Sequence, residues 1–123
     1  KINYSLIYNY KVIYEGDKLT DIYRVLSDPT RRQIIQILSK GSCTQSDILK
    51  HFSISQPAIN KHLKILKEEG VIQENKQGRF RVYSLDNHAF ALASKNMIDE
   101  IEAILDTTLH SLKKFVEESR EEE

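Results

Sequence analysis

The chain has 123 residues, and its 18 lysines and arginines are balanced by 18 aspartates and glutamates, which gives a formal net charge of zero. This length suits one domain, and hydrophobic and charged fractions of 40% and 29% exclude a wholly disordered or collagen-like chain. The single cysteine, Cys43, excludes an internal disulfide framework and a zinc site made of cysteines alone, so we expect a reducing, cytoplasmic setting. No stretch approaches the ~20 apolar residues of a membrane span, so no membrane partner is expected.

The zero net charge hides an uneven distribution. Residues 50–81 contain seven basic and three acidic side chains, a net charge of +4. Residues 95–123 contain four basic and nine acidic side chains, a net charge of −5. A basic segment by itself is most simply a solvated surface, so the structural elements that carry these charges must decide whether the segment binds a nucleic acid.

The first 16 residues form an extension whose structure the pattern leaves open. Four of the six tyrosines lie here, at Tyr4, Tyr8, Tyr10 and Tyr14. Their enrichment favours a strand, whereas the spacing of Tyr4, Ile7 and Tyr8 also suits one face of a helix. A domain of residues 17–123 follows, and it begins with a short amphipathic helix that carries Leu19, Ile22, Tyr23 and Leu26.

Capping residues predict the next two helices. Asp28 followed by Pro29 is typical of an N-cap and first helical position, because aspartate accepts an otherwise unpaired backbone N–H and proline has none to satisfy. This helix should end at Gly41. Thr44 then caps a second helix, and Cys43 takes the position of a hydrophobic staple that packs inward. The alternative for Cys43 is a redox or metal role, but neither an electropositive surrounding nor a second thiol accompanies it in the sequence.

Ser55 and Pro57 predict the start of a further helix that runs to about Glu69. Together with the helix that Thr44 caps, it gives two short helices joined by a tight connection, the layout of a helix-turn-helix. The apolar residues of the second helix face one side, and four polar residues occupy the other side or its N-terminal edge: Gln56, Asn60, Lys61 and Lys64. Glutamine and asparagine pair bidentately with adenine, and lysine reaches guanine or phosphate, so this face suits recognition of base edges. His62 lies on the inner flank, where we expect it packed and hydrogen-bonded.

The next segment predicts a β-hairpin. From Phe80 to Leu85 the residues alternate between two faces, and Gly78 supplies the positive φ that a tight turn requires. Its tip is basic, with Lys76, Arg79 and Arg81. Such charges can simply protect an exposed strand edge. Directly after a helix-turn-helix, they favour a wing whose cations contact phosphates or the minor groove.

The last predicted helix begins at Phe90 or Ser94 and ends at Glu118. Its main apolar stripe repeats at intervals of three and four residues: Ile98, Ile101, Leu105, Thr108, Leu112 and Phe115. Further apolar residues flank this stripe and make the surface wide. A wide apolar surface favours packing both on its own domain and on the equivalent helix of a partner, and packing within a lone domain is the alternative.

Several separated motifs, in the same order, resemble the ArsR/SmtB family of bacterial winged-helix repressors over roughly residues 19–118. They are Ser27-Asp28-Pro29-Thr30-Arg31-Arg32, Ser55 through Leu63, Gly70-Val71-Ile72, and Lys76-Gln77-Gly78-Arg79 through Tyr83. The resemblance implies a mainly helical α+β fold, a winged helix-turn-helix with a two-stranded β-hairpin wing and a C-terminal dimerisation helix at residues 90–118. It further implies a homodimer, built from the first and last helices, that represses its own or a neighbouring operon. Members of the family commonly release DNA when a metal or other effector binds.

The sequence departs from the family at its known effector sites. The family's Cys-x-Cys pair, aligned on Asp47, is replaced by Thr44 and Ser46, which excludes thiolate ligation there. A second family site on the last helix, Asp-x-His with His-x-x-Glu, is matched in part, with aspartate for the second histidine, by Asp86, His88, Asp99 and Glu102. One imidazole and three carboxylates suit a divalent cation, but a helix cap and solvated acids explain the same residues. We therefore predict no metal or other cofactor and leave the effector open.

These observations predict a sequence-specific DNA-binding transcriptional regulator, a dimeric repressor that recognises an imperfect palindrome in double-stranded DNA. We expect the DNA contacts to come from Ser55, Gln56, Asn60, Lys61, Lys64, Lys76, Arg79 and Arg81. The alternative is a protein-interaction module without specific DNA binding, in which the long helix pairs with a different protein. An enzyme is not expected, because the sequence has no nucleophile-base pairing, phosphate loop or pair of carboxylates with divided roles.

Overall fold

The computed structural model describes residues 11–12 and 20–122, and within them it has five helices and five strands. The helices are α1 (Ile22–Leu26), α2 (Pro29–Ser39), α3 (Gln45–Leu49), α4 (Gln56–Glu68) and α5 (Asn87–Glu121). The strands are β1 (Lys11–Val12), β2 (Thr20–Asp21), β3 (Cys43–Thr44), β4 (Ile72–Gln77) and β5 (Phe80–Leu85).

Of the N-terminal extension, residues 1–16, the described part is β1, which pairs antiparallel to β2. The extension's four tyrosines lie outside the described residues, as does Leu19, the first apolar position of the predicted first helix. That helix, α1, begins three residues later at Ile22 because the Asp21 side chain caps it, accepting the Arg24 N–H at 3.0 Å.

Side-chain caps start α2, α3 and α4 at the positions that the sequence predicts. Asp28, Thr44 and Ser55 each accept a backbone N–H of the first turn, over 2.7, 3.2 and 3.3 Å respectively. These N–H groups have no partner within the helix, so each cap satisfies a donor that would otherwise be unpaired. The helix α4 ends at Glu68, and Gly70 follows with a positive φ of 76°. The predicted helix-turn-helix is therefore formed by α3 and α4.

The predicted hairpin is formed by β4 and β5, with Gly78 in the turn at a φ of 65°. A third strand joins it, because Cys43 and Thr44 of β3 pair with Tyr83 and Val82 of β5, giving an antiparallel sheet in the order β3-β5-β4. The sequence predicted two strands, since a two-residue strand has no alternation to detect. The extra strand attaches the wing directly to the N-terminus of α3.

One apolar core holds the elements together. Its buried hydrophobic residues come from α1 to α4, the sheet and the first part of α5: Ile22, Val25, Ile34, Ile35, Leu38, Ile48, Ile59, Leu63, Leu66, Val71, Ile72, Tyr83 and Ala93. Cys43 is half-buried against this core, and burial raises the pKa of its thiol. A raised pKa leaves less thiolate at neutral pH, so Cys43 has the surroundings of a packing residue, as predicted, and not of a reactive thiol.

Arg31 of α2 is buried and joins three helices. Its guanidinium donates to the backbone carbonyls of Arg24 and Val25 in α1, at 3.2 Å each, and its Nη1 lies 3.1 Å from Nδ1 of His62 in α4. Because arginine can only donate hydrogen bonds, Nδ1 of His62 accepts this one. The prediction that His62 is packed and hydrogen-bonded is confirmed.

A second polar cluster holds the C-terminal end of α4. The buried carboxylate of Glu69 accepts the Asp21 N–H at 2.8 Å and pairs with Arg24 at 2.7 Å. The Glu69 carbonyl oxygen accepts the hydroxyl of Thr20 at 2.9 Å. The helix α4 is thus attached to α2 at its middle and to β2 and α1 at its end, which fixes the direction in which its outer face points.

The last helix is longer than the sequence predicts. Asp86 caps α5 by accepting the Ala89 N–H at 3.0 Å, so the helix begins at Asn87 and the predicted start at Phe90 or Ser94 is wrong. The apolar periodicity on which that prediction relied begins only after the first turn of the helix. At 35 residues, α5 is ~52 Å long.

Within the part of the chain that the structure describes, only the first part of α5 packs on the body of the protein. Phe90, Ala93 and Met97 contact the core, whereas residues 101–122 are exposed in the single chain. Its apolar stripe is therefore not covered by the chain's own described residues. None of the described helices has the combination of length and apolar composition needed to cross a bilayer.

The cap of α4 gives the first testable prediction. Replacing Ser55 by Ala should lower the free energy of unfolding by ~1 kcal/mol, because the Ala58 N–H loses its acceptor. Urea denaturation followed by circular dichroism measures this difference. Ser53→Ala, two residues earlier at an exposed position outside the helix, is the matched control and should change stability little. Equal effects of the two substitutions would contradict the capping role.

Candidate nucleic-acid interface

The two faces of α4 differ sharply in exposure. Ile59, Leu63 and Leu66 face the core and are at most 2% exposed. The predicted DNA-contacting residues of this region are all exposed: Ser55, Gln56, Asn60, Lys61 and Lys64. The amide and ammonium groups of α4 are therefore available to an external partner, while its apolar side chains anchor the helix.

Gln45 of α3 is a neighbour of this face that the sequence analysis did not predict. Its Nε2 donates a hydrogen bond to Oδ1 of Asn60, which links the two helices of the helix-turn-helix at the outer surface. The Asn60 carbonyl oxygen keeps a second lone pair, and its amide nitrogen keeps both N–H donors. Asn60 is thus oriented without losing its capacity to bind a base edge. Gln45 and Asn60 are 15 residues apart, so no local spacing signals the contact.

The wing carries its three predicted cations at the end distant from the core. Lys76 and Arg81 are directly paired across the β4–β5 ladder, and Arg79 follows Gly78 in the turn. All three side chains are exposed. Residues paired in this way have Cβ atoms ~5 Å apart, so the wing concentrates positive charge in a small area.

A groove of about 180 Å³ separates α4 from the wing. It is lined by Asn60, Leu63, Lys64, Lys67, Glu74, Arg81 and Tyr83. Two of its charged residues, Lys67 and Glu74, were not among the predicted contacts. Lys67 follows Lys64 by three residues and so extends the polar stripe of α4 by a turn, a signal that the helical periodicity already contained.

The Glu74 carboxylate is the centre of the charges in this groove. It accepts a hydrogen bond from Lys67 Nζ and one from the Tyr83 hydroxyl at 3.2 Å, and its Oε1 lies 3.6 Å from Arg81 Nε. The hydrogen bond from Lys67 is the main cause of a pKa of Glu74 below its ordinary value. The pKa of Tyr83 is raised, chiefly by burial and also by the adjacent Glu74 charge. Glu74 is therefore ionised at neutral pH and offsets part of the positive charge of the wing.

The partial metal motif is not assembled within one chain. Asp86 caps α5 and also accepts a hydrogen bond from Gln73 at 3.3 Å, while Asp99 pairs with Lys95 at 3.0 Å. His88 and Asp99 are eleven positions apart on α5, a separation of ~16 Å along its axis. Among the described residues of one chain, no group of three or more histidine, cysteine, aspartate or glutamate side chains is placed to hold a metal ion.

A helix-turn-helix with an exposed polar face on its second helix, followed by a β-hairpin with a basic tip, defines a winged helix-turn-helix protein of the class found in transcriptional regulators. Residues 28–74 match the family described as bacterial regulatory protein, arsR family. The chain belongs to this ArsR family. It is therefore a transcriptional regulator and not an enzyme, and the predicted family and fold class are confirmed.

Similar proteins support this assignment. The transcriptional repressor SdpR of Bacillus subtilis is 44% identical over 68 residues, which cover 55% of this chain and 76% of that protein. An arsenical resistance operon repressor of Staphylococcus xylosus is 40% identical over 73 residues, covering 59% of this chain and 69% of that protein. The structure of an ArsR-like transcriptional regulator from Rhodococcus sp. RHA1 is 27% identical, with a TM-score of 0.61 over 78% of this chain and 87% of that one.

The carboxylate of Glu74 gives a prediction about pH. The pKa of Glu74 in the folded state lies below the value of about 4.3 that glutamate has in an unfolded chain. The ionised carboxylate therefore stabilises the fold fully above about pH 4.3, and this stabilisation is lost as the pH falls through the folded-state pKa. Wild type should thus be more stable than Glu74→Gln at neutral pH, and the difference should shrink in acid. Urea denaturation from neutral pH to about pH 3 tests this. A difference that stays constant with pH would rule out the ion pair as its source.

Proposed function

We propose that the protein is a cytoplasmic, homodimeric repressor that binds an imperfect palindrome in the DNA of its own or a neighbouring operon. The observation that carries the proposal is the exposed stripe of amide and ammonium side chains on α4, next to the cations of the wing. Names of two relatives support repression in particular, since one is a transcriptional repressor and the other the repressor of a resistance operon.

In this proposal, α4 enters the major groove and supplies the base contacts. Gln56 and Asn60 have the donor and acceptor pair that matches N7 and N6 of adenine, and Lys61 and Lys64 reach guanine or phosphate oxygens. Ser55 uses its hydroxyl oxygen to cap α4, and the hydroxyl hydrogen remains a donor for a phosphate. The attachments of α4 to α2, α1 and β2 hold these groups in one orientation, which bidentate recognition requires.

The wing contacts the DNA backbone in the same proposal. Lys76, Arg79 and Arg81 are exposed cations, suited to phosphate oxygens or to the minor groove beside the half-site. Contacts of this kind place the protein on the duplex and contribute affinity for any sequence, whereas the α4 contacts distinguish one sequence from another. The wing residues and the α4 residues therefore make separable contributions, the former to affinity and the latter to sequence preference.

The exposed apolar face of α5 supports a homodimer. Leu105, Leu112 and Phe115 of the apolar stripe are 51%, 57% and 67% exposed in the single chain. A contiguous apolar stripe of this kind on one helix marks an interface. A partner that covers it removes apolar surface from water at ~25 cal/mol per Å².

The apolar stripe of α5 can pair with that of a second copy of the chain in antiparallel orientation. Pairing centred between Asp106 and Thr107 sets the apolar stripe against itself, with Ile98 opposite Phe115 and Ile101 opposite Leu112.

The antiparallel register also agrees with the geometry of a palindrome. In this register, the Ala93 positions of the two copies, where α5 packs on each body, are 27 residues apart along the helix axis, or ~40 Å. Successive major grooves on one side of B-DNA are ~34 Å apart. The two α4 helices can then reach adjacent half-sites with a modest inward inclination of the two bodies.

DNA binding is tested by titrating wild type and two variants into the duplex upstream of the protein's own gene and into a random duplex. Replacing Lys76, Arg79 and Arg81 by Ala should weaken binding to both duplexes, and the salt dependence should become flatter by ~0.9 for each phosphate that the wing no longer neutralises. Asn60→Ala should instead reduce the preference for the upstream duplex, by ~1–3 kcal/mol. Gel shift and fluorescence anisotropy provide the measurements.

Arg120→Ala removes one exposed cation near the C-terminal end of α5 and serves as the charge control. An unchanged salt slope in the wing variant would refute the phosphate contacts. Absence of binding to either duplex at low salt would refute the proposed function and favour the alternative, a protein-interaction module.

The dimer interface yields a prediction of its own. Leu112→Glu should convert the protein to a monomer, because two buried carboxylates would face an apolar surface, and it should abolish tight binding to a palindromic site. Analytical ultracentrifugation measures the mass in solution. Ala103→Glu introduces the same charge on the opposite face of α5, which is also exposed, and should leave the dimer intact. A Leu112→Glu variant that remains dimeric would place the interface elsewhere.

A further inference from the structure

The groove between α4 and the wing contains more than the contacts proposed above. One wall is α4, which contributes Asn60, Lys64 and Lys67, and the other is the wing, which contributes Glu74 and Arg81. Three cations and one carboxylate thus line one groove, a net charge of +2. An anion is the ligand that such a surface attracts.

The carboxylate of Glu74 is the most buried of these charged groups. Its side chain is 18% exposed, against 44% for Lys67 and 58% for Arg81. The carboxylate contacts both cations and also accepts the hydroxyl hydrogen of Tyr83. The cations therefore have an internal partner in the free protein, while their outer sides remain open to solvent.

A phosphodiester resembles the carboxylate that already occupies this position. Each group carries one negative charge and offers two oxygens that accept hydrogen bonds from lysine and arginine. A DNA strand that lies between the α4 base contacts and the wing passes over this groove. A phosphate that uses Lys67 and Arg81 must compete with Glu74 for them.

Resting on the DNA binding proposed above, we propose that this groove is a phosphodiester subsite and that Glu74 is its internal competitor. The competition lowers affinity for every DNA sequence alike, because phosphates carry no sequence information. The base contacts of Gln56 and Asn60 are not affected. Glu74 therefore raises the ratio of specific to non-specific affinity, the quantity that decides how a regulator is distributed over a genome.

Glu74→Gln tests this inference, because glutamine keeps the shape and an acceptor for Tyr83 but removes the charge. Binding of the intact protein to the random duplex should become about threefold tighter, the scale of one exposed ion pair. The salt slope between about 50 and 200 mM should steepen by up to ~0.9 for each cation that binds a phosphate in place of Glu74. The preference for the upstream duplex should fall accordingly. Fluorescence anisotropy gives all three quantities.

Glu117→Gln, an equal change of charge at an exposed position of α5, is the matched control and should leave the salt slope unchanged. The inference would be overturned if Glu74→Gln and Glu117→Gln bound the random duplex with equal affinity. Weaker binding by a folded Glu74→Gln protein would overturn it too, since Glu74 would then assist binding by orienting the wing. If either of these results is obtained and the wild-type protein still prefers the upstream duplex, the inference about Glu74 is wrong but the proposed function stands. If the wild-type protein binds neither duplex, both the proposed function and the inference about Glu74 are wrong.

Lys67→Gln keeps the inference testable if Glu74→Gln proves unstable by thermal unfolding. Loss of Lys67 removes one cation that could bind a phosphate, and it leaves the negative charge of Glu74 without one of its partners. Binding to the random duplex should therefore weaken, and its salt dependence should become flatter. Arg120→Gln is the matched control at the far end of α5. Equal random-duplex affinities of Lys67→Gln and Arg120→Gln would show that no phosphate binds in the groove.

Discussion

The buried guanidinium of Arg31 is the contact on which the orientation of α4 depends. A charged group in the interior must have its donors satisfied, and Arg31 satisfies them with carbonyl oxygens of α1 and with the imidazole of His62. Hydrogen bonds to charged groups contribute ~1.5–3 kcal/mol each, and their directionality fixes angles that apolar packing alone leaves adjustable. Glu69 supplies the second constraint at the C-terminal end of α4. The polar face of α4 therefore points outward in one defined direction.

The zero net charge of the chain results from a basic segment and an acidic segment whose charges cancel. The basic segment 50–81 includes α4 and the basic tip of the wing, whereas most of the acids in residues 95–123 lie on the part of α5 that extends away from the body. Glu74 adds a local correction inside the basic surface, where a single carboxylate contacts Lys67 and Arg81. A regulator that must find one site among many benefits from such restraint, because phosphate contacts strengthen binding to every site equally.

Local signals in the sequence predicted much of the fold. The caps Asp28, Thr44 and Ser55 act over two or three residues, so the starts of α2, α3 and α4 followed directly from residue type and spacing. The hairpin followed from alternation and from a glycine at its turn. The start of α5 was misplaced because its cap, Asp86, precedes the apolar repeat, and β3 was missed because a two-residue strand has no period.

Residue patterns along the chain are enough to predict the order of the elements, the inner and outer faces of α4 and the basic tip of the wing, since these depend on periodicity and on neighbouring residues. Which side chains meet across the fold depends instead on how the elements pack together. Gln45 with Asn60, Arg31 with His62, and Arg81 with Glu74 beside Lys67 join different elements, and no spacing along the chain announces that they are in contact. The extension of α5 beyond the described body has the same origin, because the extent of the core that could cover this helix depends on how the other elements pack.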